Sequence, residues 1–190
     1  PYRMLECKQT TTRRHAAAPI AGAALLCLAS VTSVSAMQEI GTIEATIGEE
    51  SGSWTTIHMA SEQTATAEHS SVGPMTSISI QGHDPESGSM MRNVLSLDIT
   101  LMGEGPSAQT FDATLSLFPE GMSRPFFTSG DGKAEVAVRF EELDLSELGH
   151  ARGTFSGQLC RQDGMFSEPD PNDCRAIEGT FETQLHLAEY

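Results

Sequence analysis

Two short stretches near the end of the chain, RGTFSGQLC (residues 152–160) and CRAIEGTFETQL (residues 174–185), carry the strongest signal for the fold. Each contains Gly-Thr-Phe, and each has one cysteine at the end nearer to the other stretch. We predict that the two stretches pair as antiparallel strands with Cys160 opposite Cys174. In that register each aromatic ring covers a glycine of the other strand, which repairs a weak point of a sheet.

The predicted register sorts the side chains of this hairpin onto two faces. Phe155 lies opposite Gly179 and Phe181 opposite Gly153, so one face is apolar. The other face is entirely polar and carries Thr154, Ser156, Gln158, Glu178, Thr180 and Glu182.

The two cysteines of the hairpin are the only ones after residue 36. We predict that Cys160 and Cys174 form a disulfide that closes the loop 161–173, because disulfides persist in exported proteins. On the chain-entropy model such a bond stabilises the fold by about 3 kcal/mol. A zinc site would need further cysteine or histidine ligands, and none lies between the two cysteines.

Apolar and polar residues alternate with a period of two in the rest of the chain, which is typical of antiparallel strands with one buried face. The clearest stretches are residues 43–47, 95–101, 111–117 and 134–140. Phe111 is expected on the apolar face of its stretch. Weaker strands are predicted at residues 54–59 and 75–80. Residues 141–148 could form one helical turn. Residues 61–71 suit either an edge strand or a mobile loop.

These strands and the turns between them predict an all-β fold with less than about one-tenth helix. The expected architecture is an antiparallel β-sandwich, or a small open barrel, of roughly 8–10 strands. Residues 37–190 are expected to form this single domain.

The first 36 residues have the features of a signal peptide. Arg13 and Arg14 precede an apolar run at residues 16–34, and Val-Ser-Ala follows as a cleavage signal ending at Ala36. The alternative is a membrane anchor, but no charged stop-transfer cluster follows the run. We therefore predict a secreted or periplasmic protein that keeps no membrane span after cleavage, with residues 1–3 upstream of a start at Met4.

The charge of the chain limits its partners. The sequence has 11 basic and 26 acidic residues, of which 7 and 25 remain after residue 36, for a net charge of −18. Nucleic acids and anionic membranes require clusters of lysine and arginine, so neither is an expected partner. The expected partner is therefore a protein or a glycan.

Two groups of residues are candidate ligand sites. Carboxylates in the loop 161–173 offer oxygen ligands for calcium, although their spacing does not match the calcium loop of the helix–loop–helix type. Aromatic residues near a turn offer an apolar patch for a partner or glycan, and the alternative, which we favour, is that they plug an open end of the sandwich. The candidate calcium ligands are Asp163, Glu168, Asp170 and Asp173, and the candidate patch is Trp54, Phe126 and Phe127 beside Met122.

No catalytic motif is visible. No two of the five histidines after residue 36 have the spacing of a zinc pair, and we expect them at the surface or in turns. They are His58, His69, His83, His150 and His186. The sequence lacks a nucleophile elbow, a phosphate loop and a dinucleotide-binding glycine pattern. A pair of carboxylates for glycoside hydrolysis is not detectable in sequence.

These observations favour a non-enzymatic exported domain with a binding or structural role at or outside the bacterial cell envelope, needing no cofactor. One alternative is a secreted hydrolase that acts on a glycan or polymer through carboxylates. The other is a calcium-dependent adhesion or matrix module.

Overall fold

The computed structural model describes residues 37–103, 105–121, 125–130, 135–164 and 166–188. The predicted signal peptide, residues 1–36, and Met122 lie outside them. The described residues form eleven strands and no helix. The strands are β1 (Gln38–Ile47), β2 (Glu50–Met59), β3 (Thr64–Ala65), β4 (Ala67–Val72), β5 (Met75–His83), β6 (Val94–Met102), β7 (Gln109–Phe118), β8 (Phe126–Thr128), β9 (Ala137–Asp144), β10 (Leu148–Gln162) and β11 (Cys174–Leu187). No helix capable of crossing a membrane occurs in these ranges.

All eleven strands belong to one hydrogen-bonded sheet. Its pairings form a closed circuit that runs from β1 through β2, β5, β6, β7, β8, β10 and β11 back to β1. Every pair is antiparallel except β4 with β11. The predicted all-β class and the antiparallel pairing are therefore confirmed in one large sheet.

The hairpin of β10 and β11 has the predicted register. Phe155 pairs with Gly179, Phe181 with Gly153, and Cys160 with Cys174. A Cβ atom added to Gly179 would lie 2.7 Å from Cζ of Phe155, and one added to Gly153 would lie 2.8 Å from Cζ of Phe181. Each ring therefore rests on the glycine opposite, and both rings are buried in the core.

A third contact of the same kind was not predicted. The ring of Trp54 on β2 covers Gly52, where an added Cβ atom would lie 2.6 Å from Cη2 of the indole. The same tryptophan also packs against Gly82 of β5. Its Nε1–H donates a hydrogen bond to the carbonyl oxygen of Asn93 at 2.9 Å, so the polar end of the buried ring is satisfied.

The disulfide between Cys160 and Cys174 is present, with Cα atoms 3.9 Å apart. It joins directly opposite positions at the end of the hairpin. The bond therefore closes the loop that follows β10 without disturbing the pairing of the strands.

Local expectations were wrong at two places. Phe111 is 68% exposed, because β7 bulges between the partners of Thr100 and Leu101 and so leaves the phenylalanine unpaired on the outer face. Residues 141–148 form no helical turn: they contain the end of β9 and the tight connection to β10. The uncommitted residues 61–71 form β3 and most of β4.

Replacement of the ring that covers Gly179 should destabilise the fold strongly. Phe155 is 3% exposed, so Phe155→Ala should lower the free energy of unfolding by about 3–5 kcal/mol through lost burial and a cavity. Urea unfolding followed by circular dichroism measures this. Phe111→Ala is the matched control and should change stability by less than about 0.5 kcal/mol. Equal losses in the two variants would contradict the packing described.

Removal of the disulfide should have a moderate effect, because the strands remain paired when the loop is freed. The double variant Cys160→Ala/Cys174→Ala should lose about 3 kcal/mol of unfolding free energy. Reduction of the wild-type protein should produce a similar loss in the same unfolding assay. If oxidised and reduced wild-type protein were equally stable, the bond would have no stabilising role.

Candidate functional site

A shallow, open groove of about 900 Å³ crosses the outer face of β2, β1, β11, β10 and β9. Its walls contain the polar residues that alternate with core residues along these five adjacent strands. We call it the hydroxyl groove and define it by Glu44, Thr46, Ser51, Ser53, Arg139, Thr154, Ser156, Glu178 and Thr180.

Strand register arranges these side chains in two rows across the sheet. Residues that lie opposite each other on adjacent strands are about 4.8 Å apart along the row. The first row is Ser53, Glu44, Thr180, Thr154 and Arg139, and the second is Ser51, Thr46, Glu178, Ser156 and Ala137. Within the second row, the hydroxyl oxygens of Thr46 and Ser51 are 3.1 Å apart and share a hydrogen bond.

The two carboxylates of the groove are diagonal neighbours. Glu44 pairs with Thr180 and Thr46 pairs with Glu178, which places the glutamates on the same face of adjacent strands, offset by two residues. Both glutamates are exposed, and among the described lining residues Arg139 is the only cation. The groove is therefore polar and weakly acidic.

A smaller pocket adjoins the hydroxyl groove and shares Glu44, Thr154 and Thr180 with it. There Arg152 donates hydrogen bonds to Glu141 and to Glu142, the latter at 2.7 Å. The hydrogen bond and positive charge of Arg152 lower the pKa of the Glu142 carboxyl below its usual value. This end of the groove is thus occupied by charges that already pair with each other.

The chemistry of the groove suits hydrogen bonding more than acid–base catalysis. Serine and threonine hydroxyls both donate and accept, and carboxylates accept, so the rows complement a surface rich in hydroxyl groups. Glycoside hydrolysis needs one carboxylic acid kept protonated, usually by burial, beside an ionised one. Glu44 and Glu178 are both exposed, so burial does not distinguish one from the other.

The structure does not assemble the carboxylates of the loop 161–173 into a cluster. Asp163 accepts a hydrogen bond from Nε of Arg161 at 3.0 Å, and Asp170 accepts one from the backbone N–H of Asn172 at 2.9 Å. The carboxylate of Asp173 lies 3.9 Å from the Arg161 guanidinium. Within the described ranges no three His, Cys, Asp or Glu side chains are grouped to hold a metal ion.

The three candidate aromatic residues do not form an exposed patch. Trp54 and Phe127 belong to the core, with 4% and 9% exposure, and lie on different strands. Phe126 is half-buried and stacks on Phe118 with ring centroids 5.4 Å apart. The guanidinium of Arg175 lies 4.7 Å from the centre of the Phe127 ring and covers it.

Two histidines expected at the surface or in turns are buried instead, and a third lies in a strand. The ring of His69 is buried with Nε2 2.9 Å from the carbonyl oxygen of Ser146, because the β9–β10 connection covers it. His83 is buried under the loop that follows β5. His150 is part of β10 and lies 3.6 Å from a carboxylate oxygen of Glu142.

His58 and His186 stack on each other with ring centroids 4.5 Å apart. Sequence reasoning missed this contact, because it joins two strands that are remote in the chain. Burial, and next the charge of His58, lower the pKa of His186, while nearby Glu68 opposes the shift.

The polar face of the β10–β11 hairpin was predicted, but its continuation into a groove was not. The alternation of Thr42, Glu44 and Thr46 signalled a polar face on β1 without indicating its neighbours. Comparisons with protein-family models, with curated proteins and with solved structures found no match to this chain.

The lowered pKa of His186 makes stability depend on pH. The unfolded histidine titrates near pH 6.5, above the folded one, so the unfolded state binds more protons between these two values. The contribution of His186 to the free energy of unfolding is therefore present above pH 6.5 and is lost as the pH falls toward the folded pKa. His186→Phe keeps a ring against His58 but does not titrate.

We expect His186→Phe to lose less unfolding free energy between pH 7 and pH 5 than the wild type, measured by urea unfolding at each pH. His186→Phe should still lose some unfolding free energy between pH 7 and pH 5, because burial also lowers the pKa of His83. Leu187→Ala, a neighbouring variant without a titrating group, should retain the wild-type dependence. An identical pH dependence in His186→Phe and the wild type would show that His186 does not contribute to the pH dependence of stability.

Proposed function

We propose that this chain is an exported, non-enzymatic binding domain whose hydroxyl groove takes an uncharged, hydroxyl-rich glycan at or outside the bacterial cell envelope. The observation that supports it is the pair of side-chain rows across five strands. These rows supply six hydroxyl groups and two carboxylates at regular spacing.

Hydrogen-bond chemistry favours a glycan over a protein in this groove. Protein interfaces depend on a few large aromatic, methionine or arginine anchors that become buried. Apart from Arg139, the described polar side chains of the lining are serines, threonines and glutamates, and the one large ring, Phe155, belongs to the core. Neighbouring hydroxyls of a sugar both donate to carboxylates such as Glu44 and accept from threonines such as Thr154.

Charge favours an uncharged glycan over an anionic one. Residues 37–190 have a net charge of −18, and the groove contains two glutamates against one arginine. An acidic polymer would be repelled at long range and would meet unpaired carboxylates on contact. The described lining residues include no exposed aromatic ring, so binding rests on hydrogen bonds, and a polymer that spans the groove can form many of them at once.

Export is part of the proposal. The disulfide is compatible with an extracellular or periplasmic location, because such bonds persist in oxidising compartments. In this view residues 1–36 direct export and residues 37–190 form the mature domain. We also infer that the closed sheet is flattened like a sandwich. Ile43 of β1 lies close to Gly82 of β5 although both strands pair with β2, and the sharp bend at β2 that this requires supports the inference.

Binding to a soluble neutral polymer tests the function. Dextran should retard the wild-type protein in native affinity electrophoresis, whereas polygalacturonate, an anionic polymer, should not. The double variant Glu44→Gln/Glu178→Gln should need about ten times the dextran concentration for the same retardation, because two charge-assisted hydrogen bonds become neutral ones. Glu62→Gln, an exposed control on the β2–β3 connection, should behave like the wild type.

The same samples distinguish binding from hydrolysis. Without hydrolysis, no new reducing ends appear when the polymer is incubated with protein. Reducing ends that appear with the wild type and disappear with Glu178→Gln would establish the hydrolase alternative. Failure of the wild type to bind dextran or other neutral glycans, with intact folding, would reject the glycan proposal.

A further inference from the structure

A second cavity, of about 330 Å³, lies beneath the loop 84–93 that joins β5 to β6. The loop covers part of the outer face of β2, where Thr55 and Ile57 point away from the core and yet are only 8% and 9% exposed. The cavity is separate from the hydroxyl groove and shares no lining residue with it.

The covering loop is held by specific hydrogen bonds. Asp84 accepts one from the backbone N–H of Glu86 at 2.8 Å and one from Nδ2 of Asn93 at 2.8 Å. The bond from Asn93 is the main reason why the pKa of Asp84 is lowered. Asn93 in turn accepts the indole hydrogen bond of buried Trp54, which ties the end of the loop to the core. These bonds hold the loop in place over β2.

His83 lines this cavity, and its ring is in the neutral form with the proton on Nδ1. The residue is 6% exposed, and its Nδ1 lies 2.6 Å from the carbonyl oxygen of Met90. Because a carbonyl only accepts, Nδ1 carries the proton, and Nε2 of the neutral ring is then a hydrogen-bond acceptor. Burial lowers the pKa of His83, which favours this neutral form.

Nε2 of His83 is buried and has no hydrogen-bond partner among the described residues, as is also true of Nδ1 of His69 and Nε2 of His186. His83 is the one of these three that lines the cavity. A buried acceptor without a partner costs free energy. Because His83 lines the cavity, a bound molecule whose polar group reached Nε2 would remove this cost. The apolar walls come from Ile57, Pro85 and the flexible side chains of Met37 and Met90.

We propose that this cavity binds a small, largely apolar molecule that carries one hydroxyl or amine, and that this group donates a hydrogen bond to Nε2 of His83. The volume is at the small end of the range for ligand pockets. Glu39 and Asp84 also line the cavity and disfavour anions. Nε2 has no surface open to water, so the side chains that cover it must shift before the donor reaches it.

Two probes of nearly the same shape test this on the wild-type protein. Benzyl alcohol carries the donor, and toluene does not. Titrations followed by NMR at the Ile57 methyl groups and the His83 ring nitrogens should show both probes in the cavity. Benzyl alcohol should bind about fivefold more tightly, since one hydrogen bond distinguishes the two probes. Only benzyl alcohol should shift the Nε2 resonance strongly.

Two variants localise the effect. His83→Phe keeps a ring at this position but removes both ring nitrogens, so toluene binding should persist while the preference for benzyl alcohol disappears. His150→Phe, at a histidine outside the cavity, should retain the wild-type preference. Equal affinities of the two probes for the wild type would overturn the role of Nε2. Absence of shifts at Ile57 with both probes would overturn the cavity as a binding site, whether or not the variants fold.

Discussion

The fold depends most on aromatic rings that cover glycines inside the sheet. In the β10–β11 hairpin, Phe155 rests on Gly179 and Phe181 on Gly153, so one register satisfies both rings at once. A shift by one residue would turn both rings toward water and separate the cysteines. The glycines also leave room for the backbone of the neighbouring strand, because a Cβ atom added to Gly179 would collide with the carbonyl oxygen of Glu44 on β1. The central strands are thereby fixed relative to one another.

The hydroxyl groove is the outward consequence of that register. Because side chains alternate along a strand, each ring directed into the core places a serine, threonine or glutamate on the outer face next to it. Thr154 and Ser156 flank Phe155, and Thr180 precedes Phe181. Adding β1, β2 and β9 extends these short rows into a surface long enough for a polymer. The ring–glycine contacts in the core and the proposed binding face therefore both follow from the same strand register.

Burial gives the histidines different roles. His150 remains close to surface carboxylates, whereas His83 is buried and its Nε2 has no hydrogen-bond partner among the described residues. The difference arises from the loop 84–93, which is tied to the core through Asn93 and Trp54. A cavity separate from the groove results, and its chemistry differs: apolar walls and one acceptor in place of rows of hydroxyls. The two proposed sites therefore suit different ligands.

The sequence by itself determined the all-β class, the register of the β10–β11 hairpin, its disulfide and its polar face. These follow from alternation and from residues close together in the chain, where few pairings are compatible. Only the tertiary structure decided which strands extend that face, where β7 bulges to expose Phe111, and which histidines are buried. Those outcomes depend on contacts between strands far apart in sequence, and a period-two pattern specifies which side of a strand is buried but not its neighbour.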